Sequence, residues 1–474
     1  MRAFWLSAAI LFASALALGV QTNVVARTGF LLGDFRAFYC AARVASHGAD
    51  PYRTEPLRTC EYAAGGPGFF ERNRGVAVPA PLPGYAIAAV VPFAMLPFGV
   101  AATLWAALLL AAWIVAVAAL AQCASVSWQI AFAIFSLALG VLSLPFGEIV
   151  PLAVAFVCLA AYFAREGRWL GAALCGAGAL VEPHLGLPVC IAFVVWAPAT
   201  RWTLVVSAGL LGLVSLAMLG PAVNLEYFAT VLPAHALSEI SRDTQYSLSA
   251  ILFAFGVSAR AAILAGTACY VAMLLVGTLL GGWMTQRTGN KAFLVCTPPA
   301  FAVFGGSFIH ATQIAAALPA AVLLVQHAQP RHRTAAAIAL LALTVPWGWM
   351  ISPAFLIAPL LPIAYLAWCC WNENLRATLL AGCAAAVLAL VFVKLALAPH
   401  AAVHVAAPAI DVHLAEATWS IFTQNTSTHA LATWIARVPT WAALGLLLAV
   451  LAIESGLLAT KERRSLQYRP REVS

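Results

Sequence analysis

Asp34, which follows the first apolar segment of the chain, is the first residue whose type and position could do chemistry. A carboxylate at a membrane boundary can serve as a general base, which removes a proton from a bound substrate. Asp is also a common N-cap, whose side chain accepts a hydrogen bond from the first turn of a helix. The residues alone favour the cap, and the two roles can coexist.

Two further carboxylates, Glu148 and Glu182, lie at the ends of apolar segments or within them. Acidic side chains at membrane depth are costly and usually functional. At a segment end, however, they can simply be solvated at the interface, so both interpretations stay open. His184 adds an imidazole two residues after Glu182, but this spacing is not that of a metal site.

A third set of polar side chains could hydrogen-bond a phosphate or a sugar, or could belong to a solvated loop and an interface. These residues are His235, Arg242, Asp243, Gln245 and His310. No P-loop, GxSxG, HExxH or dinucleotide-binding glycine motif occurs in a credible context. The sequence therefore predicts no cofactor and no dedicated metal site, and it leaves metal dependence open.

The elements that must position these side chains are membrane-spanning helices. Hydrophobic residues make up 63% of the 474 residues and charged residues only 9%, whereas a soluble domain carries about 25% charged residues. Apolar runs long enough to cross a bilayer as helices recur along the chain. The sequence predicts an all-α polytopic membrane protein with about 12–14 transmembrane helices.

Two apolar stretches are too long for a single crossing, and each contains a proline at which we expect the helix to break. They are 82–121, with Pro97, and 168–199, with Pro183. Proline lacks the backbone donor that a continuous helix needs. The other predicted spans are 5–21, 128–145, 149–164, 202–220, 261–284, 292–308, 311–327, 334–351, 353–370, 377–398 and 439–459.

Basic residues in the short loops predict the orientation, because cytoplasmic loops are enriched in Lys and Arg. If these loops and the basic tail 461–474 are cytoplasmic, three longer stretches, 22–80, 222–258 and 399–438, lie outside. This predicts a multi-pass protein of the inner (plasma) membrane. The net charge of +8 then reflects topology, and nothing suggests a nucleic-acid partner.

The stretch 22–80 is the most polar part of the chain. An apolar stripe that includes Phe35 and Tyr39, with Arg36, Arg43 and His47 opposite, predicts an amphipathic helix over 34–47 that could lie along the membrane surface. Gly48 is suited to end it. Cys40 and Cys60 share this loop, so a disulfide between them is an open possibility if the loop faces an oxidising compartment.

Several motifs, in order along the chain, resemble those of glycosyltransferase family 87. They are Gly33-Asp34-Phe35-Arg36-Ala37-Phe38-Tyr39, Gly48-Ala49-Asp50-Pro51-Tyr52, the proline-rich stretch from Pro79 to Trp105, Pro145-Phe146-Gly147-Glu148, Val181-Glu182-Pro183, Thr244-Gln245-Tyr246-Ser247-Leu248 and Ser307 to His310. Order and spacing hold over about residues 5–315. Members of this family are GT-C-fold mannosyltransferases that depend on polyprenyl-phosphate mannose.

The resemblance implies a GT-C-like bundle with an extracytoplasmic active site, a polyprenyl-phosphate sugar donor and a glycan or glycolipid acceptor. Asp34 matches the acidic base of the first outer loop and would promote transfer with inversion. Arg36, Arg242 and His310 are candidates for contacts to the donor phosphate. Glu148, Glu182, His184 and Gln245 complete the predicted donor or sugar site. The lipid-linked sugar is a substrate, so no cofactor is implied.

The chain departs from the family pattern at two positions. Glu148 stands where the family often has Gln, and Glu182 stands where it usually has Lys. These changes leave the sugar open, so mannose is not assumed and another hexose or a pentose is equally allowed.

We divide the chain into a catalytic module at 1–320, C-terminal helices at 321–460 and the tail 461–474. A transporter or flippase of a lipid-linked or small-molecule substrate is the alternative function. It should place its essential ionisable residues near the bilayer midplane.

Overall fold

The computed structural model describes residues 2–65, 68–73, 75–242, 245–344, 410–426 and 437–456. Over these ranges the chain is helical, with isolated bridges but no β-strand. The prediction of an all-α polytopic membrane protein is confirmed. The number of spans stays a prediction, because 353–370 and 377–398 lie outside the described residues, as do most of the outer loop 399–438 and the tail.

The α-helices of the described ranges are numbered here in chain order. They are α1 (Arg2–Thr28), α2 (Gly33–Ser46), α3 (Thr54–Gly65), α4 (Phe69–Arg72), α5 (Gly84–Ala94), α6 (Phe98–Ala124), α7 (Trp128–Phe135), α8 (Val150–Arg165), α9 (Trp169–Gly178), α10 (Pro183–Trp196), α11 (Arg201–Glu226), α12 (Leu232–Glu239), α13 (Leu248–Ala254), α14 (Ala259–Thr288), α15 (Ala292–Ala302), α16 (Leu318–His327), α17 (Pro330–Thr344), α18 (Ala415–Thr426) and α19 (Val438–Glu454).

Four helical segments of the described chain are long and apolar enough to cross a bilayer. They are Ile10–Thr28, Phe98–Ala124, Pro198–Glu239 and Ala259–Thr288. Shorter apolar helices, including α8, α10 and α15, pack among them. A bilayer crossing by one straight helix typically needs about 20 apolar residues, and each of these helices is shorter than that.

Proline ends helices at both predicted breaks. Helix α5 ends at Ala94, and α6 begins directly after Pro97. Helix α9 is followed by a 3-10 turn, Ala179–Val181, and α10 begins at Pro183. A proline at the first helical position costs no hydrogen bond, because the backbone N–H of any residue at that position would have no partner within the helix. Both predicted breaks are confirmed, and the second leaves Glu182 between two helices.

The loop between the π-helical segment Ser136–Ser143 and α8 packs against the start of α2. Leu32 N donates to Pro145 O at 2.8 Å, and Asp34 N donates to Phe146 O at 3.0 Å. Gly147 has φ 76°, and a Cβ there would lie 2.8 Å from the Cβ of Phe35. Only glycine meets both conditions without strain.

Helix α2 occupies a more buried place than its sequence pattern predicts. It packs against α3, α5 and α6, and Arg36, predicted on the exposed side, is only 5% exposed and stacks over the ring of Phe98. The predicted surface helix is therefore wrong for its first half, although Arg43 and His47 are exposed as expected. The helix ends as predicted, since Gly48 follows it with φ 78°.

The disulfide that the sequence left open is formed. Cys40 of α2 is bonded to Cys60 of α3, with the two Cα atoms 5.6 Å apart. One residue further along α3, the buried carboxylate of Glu61 accepts a hydrogen bond from Val78 N at 3.0 Å. Together these contacts fix α2, α3 and the segment around Val78 relative to one another.

Candidate active site

A cavity of about 510 Å³ lies where α2, α10, α12, α14 and the segment 306–313 meet. Its polar lining combines carboxyl, imidazole, phenol and hydroxyl groups with a single guanidinium among the described residues. These lining residues are Asp34, Tyr85, Glu148, Glu182, His184, His235, Glu239, Arg242, Tyr270, His310, Thr312 and Gln313. A concave site of this size, apolar with a few convergent polar groups, is the usual form of a small-molecule site.

Asp34 is the second residue of α2 and lines the cavity. The N-cap residue is Leu32, whose left-handed backbone (φ 54°) starts the helix. The N-cap interpretation of Asp34 is therefore wrong. Burial raises the pKa of the Asp34 carboxyl to about 7, with the positive charge of Arg242 opposing this shift and the negative charge of Glu239 adding to it. Such a carboxyl can exchange a proton near neutral pH.

Glu239, at the end of α12, organises one side of the cavity. Its side chain is 1% exposed, and both of its oxygens lie 3.2 Å from Nη1 of Arg242. Trp419 Nε1 donates to Oε1, and Gln245 Nε2 donates to Oε2 at 3.3 Å. His310 Nε2 lies 4.0 Å away. A buried carboxylate with this many donors fixes the position of each group around it.

Gln245 supports the site from behind the cavity surface. It is fully buried and does not belong to the lining. Its Oε1 accepts from Ile309 N at 2.8 Å, and its Nε2 lies 3.4 Å from His310 Nε2. The structure thus brings Gln245 and His310 together as neighbours, with only His310 facing the cavity.

Glu182 and His184 lie at the start of α10, where the break at Pro183 turns both side chains into the cavity. His184 Nδ1 is 3.2 Å from Glu182 Oε1, and Gln313 Nε2 donates to the same oxygen at 3.0 Å. Gln313 Oε1 in turn accepts from His310 N at 2.9 Å. One hydrogen-bonded chain therefore links α10 to the segment that carries His310.

Glu148 lies on the loop that docks against α2, and it shares the cavity with Asp34. Its carboxyl is close to the Thr312 hydroxyl and senses the charges of Asp34 and Glu182. Its Oε2 atom is buried without a hydrogen-bond partner. A buried carboxylate oxygen with no partner is unusual and calls for an explanation.

Arg36 is the predicted site residue that the structure places elsewhere. Its guanidinium is buried over Phe98, where burial lowers its pKa and the charge of Glu61 raises it. It does not line the cavity, so its predicted contact with a donor phosphate has no support in this arrangement. Asp243, another residue considered from the sequence, lies outside the described residues.

Several cavity residues were not predicted from the sequence. Glu239, Tyr85, Tyr270, Gln313 and Trp419 are among them. For Glu239 a signal was present, because Glu239 and Arg242 are three residues apart and can pair at a helix end. Trp419 comes from α18, far along the chain, and no local pattern connects it with Arg242. Among the described residues, no group of three or more His, Cys, Asp or Glu side chains could hold a metal ion.

A comparison with protein-family models supports the resemblance. Residues 83–304 match the model of glycosyltransferase family 87. This match covers a little under half of the chain, and it supports membership of glycosyltransferase family 87 and thus a membrane glycosyltransferase. The cavity-lining residues from Tyr85 to Tyr270 lie within the matched region. Asp34, the segment from His310 to Gln313 and Trp419 lie outside it. Neither the curated proteins nor the solved structures gave a significant match.

Proposed function

We propose that this chain is an inverting glycosyltransferase of the GT-C type, which moves a sugar from a polyprenyl phosphate to an extracytoplasmic acceptor. The carrying observation is the placement of Asp34, whose carboxyl lines the cavity and has a pKa of about 7. As general base it takes the proton of an acceptor hydroxyl. The oxygen attacks the anomeric carbon, the bond to the phosphate oxygen breaks, and polyprenyl phosphate leaves.

A lipid-linked donor fits the two chemical sides of the cavity. Leu187, Phe228 and Ile263 also line it, and the first two are 41% and 65% exposed. In a membrane, exposed apolar side chains of this kind contact lipid, so a polyprenyl chain can enter from that side. Arg242 and His310 line the same cavity, and they are our candidates for stabilising the departing phosphate, as preorganised donors do for developing negative charge.

The Cys40–Cys60 disulfide supports an extracytoplasmic site. Disulfides form and persist in oxidising compartments and are rare in the cytosol. This one joins α2, which carries Asp34, to α3. Together with the basic short loops, it favours a protein of the inner (plasma) membrane whose cavity faces outward.

The test measures the transfer of radiolabelled sugars from polyprenyl phosphates, catalysed by membranes that contain either the wild-type chain or the Asp34→Asn variant. We expect the variant to lose about 100- to 10,000-fold in rate, which is the usual contribution of a general base. Glu55→Gln is the matched control, because Glu55 is an exposed carboxylate of the same outer loop outside the cavity. An Asp34→Asn variant with wild-type turnover rules out this base. A wild-type chain that turns over none of the donors rules out the donor class.

A further inference from the structure

Arg242 carries the sole guanidinium among the described residues of the cavity lining, and part of it is left for a ligand. Its side chain keeps 30% of its surface exposed. Both of its hydrogen bonds to Glu239 come from Nη1, at 3.2 Å each. A guanidinium has five N–H donors, so Glu239 does not use those of Nε and Nη2. The orientation of this group therefore determines whether it can bind an anion in the cavity.

Trp419 contacts Arg242 and Glu239 at the same time. The guanidinium carbon of Arg242 lies 5.2 Å from the centre of the Trp419 ring, which is within the range of a cation–π contact. The indole Nε1 donates to Glu239 Oε1, the oxygen that also accepts from Arg242 Nη1. A planar cation that lies against a flat ring, with a fixed carboxylate beside it, has little freedom to rotate.

The ring of Trp419 is itself held in place by its surroundings. Trp419 is 3% exposed, and its ring packs on that of Phe422 with the centroids 5.1 Å apart. Thr423, on the same helix, donates from Oγ1 to Ser238 O at 2.9 Å. Ser238 directly precedes Glu239 in α12. The two helices that hold Arg242, α12 and α18, are therefore tied to each other beside it.

The main chain around Arg242 is held by residues at the start of α19. Arg437 Nη2 donates to Arg242 O at 3.4 Å, and its guanidinium carbon lies 5.7 Å from the centre of the Tyr246 ring. Trp441 Nε1 donates to Tyr246 O at 3.0 Å. Helices α18 and α19 both lie beyond the matched region 83–304. The C-terminal part of the chain thus fixes a cavity residue that the matched region supplies.

We propose that Trp419 is a positioning residue, which holds the Arg242 guanidinium in the orientation that binds the phosphate of the polyprenyl-phosphate donor. This proposal rests on the proposed function, since that phosphate is the ligand of Arg242. Trp419 acts in two ways, because its ring lies against the cation and its N–H holds the carboxylate of Glu239. Without these contacts the guanidinium would lose more freedom on binding, which weakens the phosphate complex.

The test measures the affinity of the purified full chain, in lipid nanodiscs, for farnesyl phosphate, a short analogue of the departing polyprenyl phosphate. Trp419→Leu removes both contacts and should weaken binding about tenfold. Trp419→Phe keeps a ring and loses the N–H donor, so it should weaken binding only about threefold. Ile421→Ala is the matched control and should bind as the wild type does, because Ile421 lies on the same helix, is 58% exposed and does not line the cavity.

A double-mutant cycle separates positioning from general packing. Arg242→Gln alone should weaken binding, and Trp419→Leu added to it should change the affinity by less than about twofold, because the group that Trp419 positions is gone. A further loss of about tenfold in that background would show that Trp419 only supports the fold, and would overturn the proposal. If Trp419→Leu does not fold, the same cycle with Trp419→Phe decides.

The failure of this inference can be told apart from that of the proposed function. A wild-type chain that binds farnesyl phosphate, with both Trp419 variants equally tight, overturns the role of Trp419 and leaves the donor class standing. A wild-type chain that binds no farnesyl phosphate overturns the donor class and this inference together.

Discussion

At the scale of single residues, Asp34 gives the most direct prediction. Its pKa of about 7 is above the ordinary value for Asp, so its base form predominates only above pH 7. The kcat/KM for transfer should therefore rise with pH and level off above about pH 8. The measurement is an initial-rate profile from pH 5.5 to 8.5. An acid limb centred below pH 5 would contradict the assignment, and the Glu55→Gln control should show the wild-type profile.

Glu239 gives a prediction that concerns both stability and binding. Glu239→Gln keeps the shape but removes the charge that holds Arg242 and accepts from Trp419. Removing one partner of a buried ion pair costs about 3 kcal/mol, so the unfolding temperature should fall and the affinity for farnesyl phosphate should change as well. Thermal unfolding in detergent checks the first. The control is Glu226→Gln, because the ion pair of Glu226 with Arg53 is only partly buried. Equal effects of both changes would refute the central role of Glu239.

At this scale, the sequence predicted identities better than roles. Seven of the eight proposed site residues either line the cavity or, like Gln245, support a residue that does. Arg36 was expected to be exposed, but its side of the helix is covered as well. A stripe of apolar side chains does not show whether the opposite side will be covered. Glu239 was missed because its importance comes from contacts with Trp419 and His310, which are far apart in the chain.

At the scale of helices, the disulfide should stabilise the fold by fixing α2 against α3. Replacing Cys40 and Cys60 by Ser removes a crosslink that closes a segment of 20 residues, and chain entropy alone predicts a loss of about 3 kcal/mol. We expect a lower midpoint in an unfolding titration of the double variant, and an equal shift when the wild-type chain is reduced. The control is Cys190→Ser, at a half-buried free cysteine. Identical midpoints for oxidised and reduced wild type would show that the crosslink contributes nothing.

The contact between α13, α14 and the segment at Gly306 gives a second prediction for helices. A Cβ on Gly266 would lie 2.0 Å from Ser249 Oγ and 2.5 Å from Gly306 O, and Gly306 lines the cavity. Gly266→Ala should therefore destabilise the chain by about 1–3 kcal/mol and slow transfer. Gly212→Ala in α11 is the matched control, because no atom lies within 4 Å of its added Cβ. A Gly266→Ala variant as stable and active as Gly212→Ala would contradict this packing.

Helix boundaries followed from the sequence where a single residue type controls them. The breaks at Pro97 and Pro183 depend on a missing backbone donor, which is visible in the sequence. The π-helical segments Ser136–Ser143 and Tyr227–Val231 were not foreseen. They involve one extra residue in a turn, and tertiary packing decides whether that residue is accommodated.

At the scale of the whole molecule, the orientation in the membrane can be tested directly. The proposed topology places the loop 22–80 outside the cell and the basic short loop at Gly289 in the cytoplasm. In intact cells, a membrane-impermeant maleimide should therefore label a Glu55→Cys chain above the level of its parent. A Gly289→Cys chain should be labelled only after the membrane is permeabilised. The reverse pattern would put the cavity on the cytoplasmic face.

The class of the molecule followed from composition, because 63% hydrophobic residues leave no other way to cover the chain than lipid. The cavity did not follow, since it is built from helices at distant positions in the chain. Its shape depends on how α2, α10, α12 and α14 pack, which hydropathy does not specify.

The docking of Asp34 has a consequence for how this catalyst can change over time. Two main-chain hydrogen bonds tie Leu32 and Asp34 to Pro145 and Phe146, and a third, from Trp105 Nε1 to Gly147 O at 2.9 Å, holds the same loop. The two tying bonds are made by backbone atoms, and every residue type except proline carries both the donor and the acceptor. The side chain at position 148 can therefore be exchanged without moving the carboxyl at position 34. Because the two carboxyls interact electrostatically, such an exchange would alter the charge beside the base while leaving the position of the base fixed.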